Sequence, residues 1–220
     1  MPYLTKQETI RGHGAELQIR SLLDRSQFDD ALGLAELAGI SSAAWPLFGL
    51  LWPSGHVLAG AMVRYEIKGK RILELGCGLG LASLVLHRRG GDITASDNHP
   101  LAAAFLLENL RLNDLPAMKY EVGNWSLKDS QLGLFDLIIG SDVLYDREQP
   151  EAVSQFVHAH SASDVQVMII DPNRSNHGSF SRKMGLLGYS HAATRITTLP
   201  DGSAYKGQMH VYGRSSLEAV

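Results

Sequence analysis

Little in this chain points to a disulfide, a membrane or a nucleic acid. Of its 220 residues one is cysteine, which excludes an internal disulfide. Cys77 sits between two glycines with no histidine beside it in sequence, so it reads as a small apolar side chain and not as a reactive thiol. Apolar runs are broken by Gly, Pro or charge well short of bilayer length. The opening Met-Pro-Tyr-Leu-Thr-Lys-Gln-Glu holds no apolar signal core, so the cytoplasm is the expected compartment. Basic residues are not in excess either: 20 Lys and Arg against 23 Asp and Glu leave a net charge of −3. Such a balance gives no general pull toward a phosphate backbone, and nucleic acid is disfavoured as a partner. No G-x-x-x-x-G-K-[ST] is present, so a triphosphate cradle is not supported. His158 and His160 point to different sides of a helix pattern, and no metal site is expected.

What is present is enough for one ordinary domain, with 45% hydrophobic residues over 220 positions. The most informative stretch is Arg71-Ile-Leu-Glu-Leu-Gly-Cys-Gly-Leu-Gly-Leu81, a strand-like run entering three alternating glycines and then an apolar helix pattern. An acid, Asp97, closes the next strand-like run, Asp92-Ile-Thr-Ala-Ser-Asp97. A glycine turn lets backbone approach a ligand at the end of one strand, and a carboxylate one strand over suits a ribose diol. The glycines are Gly76, Gly78 and Gly80, with Leu at 81, which departs from the G-x-G-x-x-G of dinucleotide sites. Glu74 adds negative charge near the turn, better matched to a cationic nucleoside such as S-adenosylmethionine than to a pyrophosphate.

After Gly69, strand-like runs alternate with helical ones, which calls for a doubly wound, mostly parallel α/β sheet with helices on both faces. The expected strands are 71–75, 92–96, 119–122, 135–140 and 165–170; the expected helices are 81–89, 100–112, 148–160 and 175–187. Pro100 suits a first helical turn, with Asn98 available as its cap and, beside Asp97, as a further cofactor contact. Runs at 189–197 and 205–212 are joined by Leu199-Pro-Asp-Gly202 and read as an antiparallel final hairpin. Before residue 56, segments 8–11 and 16–21 are set to pair across Gly12-His-Gly14, Phe28 to Leu37 reads as a helix, and the whole reads as a cap over the cofactor edge. A helix begun near His56 is expected to run through Ala61 to Ile67 and stop at Gly69. The resulting division is a cap over 1–55 within the same domain, a cofactor-binding body over 56–212 and a mobile tail over 213–220.

Three further pieces fall at strand ends in this layout. Gly123-Asn-Trp125 follows the third parallel strand, where an indole walls an adenine or simply fills core space. Gly140-Ser-Asp-Val-Leu-Tyr-Asp146 follows the fourth, bringing out an acid and an aromatic three residues apart; the bland alternative is an Asp that caps the next segment. Leu51-Trp-Pro-Ser-Gly55 is a rigid turn ahead of a helix, and the sequence does not choose between Trp52 and Trp45 as the indole beside the cofactor.

These pieces together resemble the seven-strand protein methyltransferases of methyltransferase family 16, which includes many protein-lysine methyltransferases. The resemblance rests on Leu51–Gly55, Ile72–Gly80, Ala95–Asp97, Asn124-Trp125 and Ser141–Asp146. It implies a class I methyltransferase fold whose seventh strand inserts antiparallel. By the same resemblance S-adenosylmethionine is the cofactor and S-adenosylhomocysteine the product, Gly76 and Gly78 approach the cofactor, Asp97 takes the ribose and Trp125 borders the adenine. Trp52 and Ser141 then line the pocket, and Asp142 and Tyr145 lie by the methyl acceptor. Asp171-Pro-Asn-Arg174 is similar to the Asp-Pro-Gly-Arg of electron transfer flavoprotein β-subunit lysine methyltransferases, with Asn in place of Gly.

The implied reaction is transfer of a methyl group to a nitrogen of a protein lysine, with a protein acceptor as partner. Small-molecule or RNA acceptors, a non-catalytic nucleoside-binding module and a nicotinamide-dependent oxidoreductase are the rivals. A lysine must first lose a proton, and a carboxylate at Asp142 opposes that loss. Asp142 is therefore expected to orient the amine, while Tyr145 offers a phenolic acceptor or a π face. His177 is the one histidine expected near the acceptor. The sequence specifies neither the acceptor's identity nor the oligomeric state.

Overall fold

The structure is a computed structural model and describes residues 3–125 and 132–215. Its centre is a seven-stranded sheet built from β3 (Arg71–Leu75), β4 (Asp92–Asp97), β5 (Lys119–Val122), β6 (Phe135–Ser141), β7 (Ser161–Asp171), β8 (Ser190–Thr198) and β9 (Ala204–Arg214). The spatial order is β5-β4-β3-β6-β7-β9-β8. Strands β3 to β7 are parallel, and β9 runs antiparallel between β7 and β8. The expected sheet with an antiparallel final hairpin is what forms.

Strict alternation along these strands feeds two cores, because successive side chains leave a strand on opposite faces. Ile72, Leu137, Ile139, Met168 and Ile170 face α2 (Pro53–Met62), α3 (Leu81–Arg88) and α4 (Ala102–Leu112). Leu73, Leu75, Ile138, Val167 and Ile169 face α5 (Gln149–Ala159) and α6 (His177–Leu186). A separate hairpin, β1 (Thr5–Ile10) with β2 (Leu17–Leu22), joins the first core through Leu17, Ile19 and Leu22. The first 55 residues therefore share the domain's core, and the expected boundary at 55/56 falls inside α2.

Three sequence expectations are corrected. Phe28 to Leu37 is not one helix; only α1 (Leu34–Leu37) is helical. Asp30 turns its two carboxylate oxygens onto the Ala35 and Glu36 N–H groups, and Gly33 stands at φ 66, so the chain breaks before the apolar spacing can propagate. Leu32 and Leu37 remain 80% and 84% exposed. The helix expected to reach Ile67 starts earlier, at Pro53, and ends at Met62. Proline at the first position forces Trp52 into an extended conformation, φ −98 and ψ 143, which marks the start. In the expected tail, Gly213 and Arg214 are still paired with Gln166 and Val165 in the sheet, and 216–220 lie outside the described residues. Among the described residues no helix is long and apolar enough to cross a membrane.

Candidate active site

In this sheet the order reverses at β3, whose neighbours are β4 and β6, and a crevice at the carboxyl ends of these strands is where such folds take a ligand. Register decides which residues reach it. Leu75 pairs with Ser96 on one side and Gly140 on the other, so Gly76, Asp97 and Ser141 all emerge one step later.

The glycine turn is fixed from several directions. Cys77 N–H donates to the Ser96 carbonyl at 2.9 Å, and Gly78 N–H donates to Asp97 Oδ2 at 2.8 Å. Asp97 Oδ1 also accepts the His99 N–H at 2.8 Å. The Asp97 carbonyl receives Gly123 N–H at 3.0 Å and the Tyr120 hydroxyl at 3.1 Å, tying the ends of β4 and β5 together. Burial raises the Asp97 carboxyl above the ordinary value, while its backbone hydrogen bonds pull the other way. A carboxylate has about four lone-pair sites, and the two bonds above leave acceptor capacity for a diol.

Trp125 lies against this turn. Its ring carbons come within 3.5 and 3.6 Å of where a Cβ on Gly76 would sit, and its Nε1 is a buried donor without a partner among the described residues. Gly76 and Gly78 have φ of 58 and 52, a conformation that side chains resist. Bare backbone amides, a carboxylate with spare lone pairs and an orphan indole donor form a cradle whose chemistry fits the adenosine of S-adenosylmethionine.

Other expected site residues have different surroundings. Glu74 is 4% exposed and turned to the first turn of α3, where one oxygen accepts both the N–H and the hydroxyl of Ser83. Burial pushes its carboxyl up to about 7, so it presents less negative charge near the turn than the sequence suggests. Asn98 is not a helix cap: α4 starts at Ala102, and the Asn98 amide donates to the Ala38 carbonyl at 3.0 Å, pinning the N-terminal segment. Of the two tryptophans, Trp45 is 1% exposed within a cluster with Tyr3, Phe28, Phe48 and His99, which removes it from the crevice. Trp52 is half-buried at the start of α2, bonded to the Leu47 carbonyl at 2.9 Å and with the Arg25 guanidinium 4.9 Å over its ring. His99 stacks on Phe48 at 3.7 Å, and burial lowers it to about 4, so it is structural.

The second half of the crevice gathers around Asp142. Ser141 pairs with Ile170, and Asp142 N–H donates to the Ile170 carbonyl at 2.9 Å. Asp142 itself has φ 59, a left-handed conformation that is costly outside glycine and clusters at functional positions. Its Oδ1 lies 2.5 Å from Arg174 Nε in an ion pair. Gly55 packs close enough that a Cβ there would be 3.7 Å from Ser141 Oγ, so the start of α2 borders the same place. Tyr145 is 49% exposed, with partial burial raising its phenol. His177 bonds the Arg174 carbonyl through Nδ1 at 2.5 Å, next to the residue that pairs with Asp142.

Sequence reasoning did not single out Arg174 as a partner of Asp142, nor Tyr205 and Ser54. Their hydroxyls meet at 2.8 Å across 151 positions of sequence, joining β9 to α2. Asp171-Pro-Asn-Arg174 carried the signal for the first; nothing local signals the second.

Residues 42–184 match the model of the lysine methyltransferase family. The chain belongs to that family. Among its relatives, the mouse electron transfer flavoprotein beta subunit lysine methyltransferase is 26% identical over 186 residues, 81% of this chain and 70% of that protein. A protein N-lysine methyltransferase of Danio rerio is 31% identical over 140 residues, 58% of this chain and 63% of its own length. The chain spans between 55% and 70% of the length of the three electron transfer flavoprotein relatives it matches. A methyltransferase from Pyrococcus furiosus has the same fold, with a TM-score of 0.61 at 14% identity over 73% of this chain and 83% of that one. So does the magnesium protoporphyrin IX methyltransferase of Synechocystis with bound SAM, at 0.57 and 17% over 72% and 76%. Structures of that Synechocystis enzyme are known with bound SAM and with bound SAH.

Proposed function

We propose that this protein transfers a methyl group from S-adenosylmethionine to the side-chain nitrogen of a lysine in another protein, with Asp142 and Tyr145 at the acceptor and Gly76, Gly78, Asp97, Trp125, Ser141 and Trp52 around the cofactor. The observation that carries the reading is the left-handed Asp142, held at the end of β6 one strand from the glycine turn. Gly76 and the Asp142 segment touch: a Cβ on Gly76 would lie 3.0 Å from Val143 Cγ1. A group presented by Asp142 is thus next to a cofactor lying on that turn.

The bound cofactor supplies an electrophilic methyl on a sulfonium, and the residues around it align and desolvate the incoming nitrogen. Asp142 orients the amine, Tyr145 adds a phenolic oxygen and a π face, and the Ser54–Tyr205 pair closes the side formed by α2 and β9. Glu74 anchors α3, and Asn98 anchors the segment before Gly39; neither is assigned a contact with the cofactor.

The electron transfer flavoprotein β subunit is the first acceptor to test, since several relatives carry that substrate in their names. Asn173 supports the choice: it stands at φ 63, a conformation glycine adopts freely and asparagine tolerates best among the others. The backbone of the Asp-Pro-Gly-Arg element is therefore available to Asp171-Pro-Asn-Arg174.

Incubation with isotope-labelled methyl donor and either that β subunit or a cell lysate, followed by mass analysis of the labelled residue, tests the reading. Asp142→Ala should abolish labelling while S-adenosylmethionine binding, measured by calorimetry, stays within a few-fold. Loss of both together, or a label on something other than lysine, overturns it.

A further inference from the structure

We propose that Arg174 tunes the acceptor: its guanidinium offsets the charge of Asp142, so that this carboxylate holds a lysine nitrogen in place without favouring the ammonium form that is unable to attack. The inference rests on the placement of the acceptor at Asp142 and adds a positioning residue to it.

An unaccompanied carboxylate beside a lysine is a poor arrangement for methyl transfer. Neutralising a lysine near pH 7 already opposes its reference pKa of about 10.4, and a nearby anion raises that value further. The structure places a permanent cation on the anion. Arg174 Nε meets Asp142 Oδ1 at 2.5 Å, the Asp142 side chain being 13% exposed and the Arg174 side chain 38%. A guanidinium keeps its charge at every pH at which lysine titrates, so the compensation persists across the working range. Only one carboxylate oxygen is used; Oδ2 of Asp142 has no hydrogen-bond partner among the described residues and is free to receive an amine N–H.

Arg174 is itself locked in place. Its N–H donates to Asp171 Oδ1 at 2.6 Å, its carbonyl is bonded by His177 Nδ1 at 2.5 Å, and the left-handed Asn173 sets its approach. The other charged or titratable groups near Asp142 are few. Asp171 comes from the end of β7, Tyr145 and Asp146 from its own segment and Tyr205 from β9, while Asp97 acts from β4 at Tyr145. Burial raises the Asp171 carboxyl from its ordinary value, and its Oδ1 is taken up by the Arg174 N–H. The bordering start of α2 contributes Ser54 and Gly55, which carry none.

The experiment uses n-butylamine labelled with nitrogen-15 as a lysine side-chain probe, titrated by NMR against the full chain in complex with S-adenosylhomocysteine. The bound amine's apparent pKa is compared in wild type, Arg174→Met and Arg174→Lys, with calorimetric S-adenosylhomocysteine affinity as the check on folding. Arg174→Met should raise the bound amine's pKa by about one unit, equivalent to about tenfold tighter butylammonium binding near pH 8. In turnover, the rising limb of the pH profile should move up by the same amount. Arg174→Lys should restore the wild-type value. A pKa unchanged or lowered in Arg174→Met overturns the proposal, as does a lysine variant that behaves like methionine. Amine binding lost in Arg174→Met and kept in Arg174→Lys with unaltered pKa would reduce Arg174 to a holder of Asp142, and also overturns it. No amine binding by wild type overturns the acceptor position beneath it, whereas failure of the lysine methylation reading shows separately in the labelling experiment.

Discussion

The carbonyl oxygen of Phe48 lies 2.8 Å from the point that a side-chain carbon on Gly78 would occupy. The segment 45–49 thus presses main chain directly onto the glycine turn.

That contact ranks two substitutions. Gly78→Ala must move backbone and also accept φ 52, at a cost of about 1–3 kcal/mol. Gly76→Ala meets the side chain of Val143 at 3.0 Å, which is able to shift. S-adenosylmethionine affinity measured by calorimetry should therefore fall by roughly tenfold or more in Gly78→Ala, since about 1.4 kcal/mol of distortion already gives that factor. The loss in Gly76→Ala should be smaller. Equal losses would mean that the Phe48 contact does not shape the cradle.

Glu74 gives the fold a pH dependence of definite sign. Its carboxyl is raised from 4.5 to about 7 by burial, so the folded chain holds this proton more tightly than the unfolded chain. The associated stabilisation is full below about pH 4.5 and is lost as pH rises through about 7, amounting to a few kcal/mol. Glu74→Gln keeps a neutral group that accepts from Ser83 at every pH. In urea melts the stability of Glu74→Gln relative to wild type should grow between about pH 5 and pH 8. A gap that is flat or shrinks contradicts a buried, raised carboxyl.

Asn173 supplies a third test. Asn173→Gly should leave the protein within about 0.5 kcal/mol of wild type, the lost bond from Gln208 Nε2 at 3.0 Å being exposed. Asn173→Val, with a branched side chain at φ 63, should cost about 1–3 kcal/mol and displace Arg174. Thermal melts read the first effect, and methyl transfer should fall in the valine variant alone.

Much of the architecture was legible because its signals are local. The alternation of apolar residues in Ile72–Leu75 and Leu137–Ile139 distinguishes two buried sheet faces, and Gly76-Cys-Gly78 marks a turn where the backbone must be bare. The final hairpin was announced by Leu199-Pro-Asp-Gly202, where Gly202 N–H bonds the Leu199 carbonyl at 2.9 Å. Phe28 to Leu37 misled for an equally local reason, since apolar spacing there is overruled by Asp30 and Gly33. Asn98 and Glu74 have the right residue types for a cofactor site, but their hydrogen bonds go to Ala38 and Ser83.

By itself the sequence determined the order of strands and helices and the glycine turn at the end of β3, because periodicity and backbone freedom act over a few residues. Tertiary structure alone decided which charges meet. Ser141 falls opposite Ile170, and that parallel register brings Asp142 to Arg174 across 32 positions. The Asp171-Pro-Asn-Arg174 element marks Arg174 as a candidate, but its partner is chosen only where β7 lies beside β6.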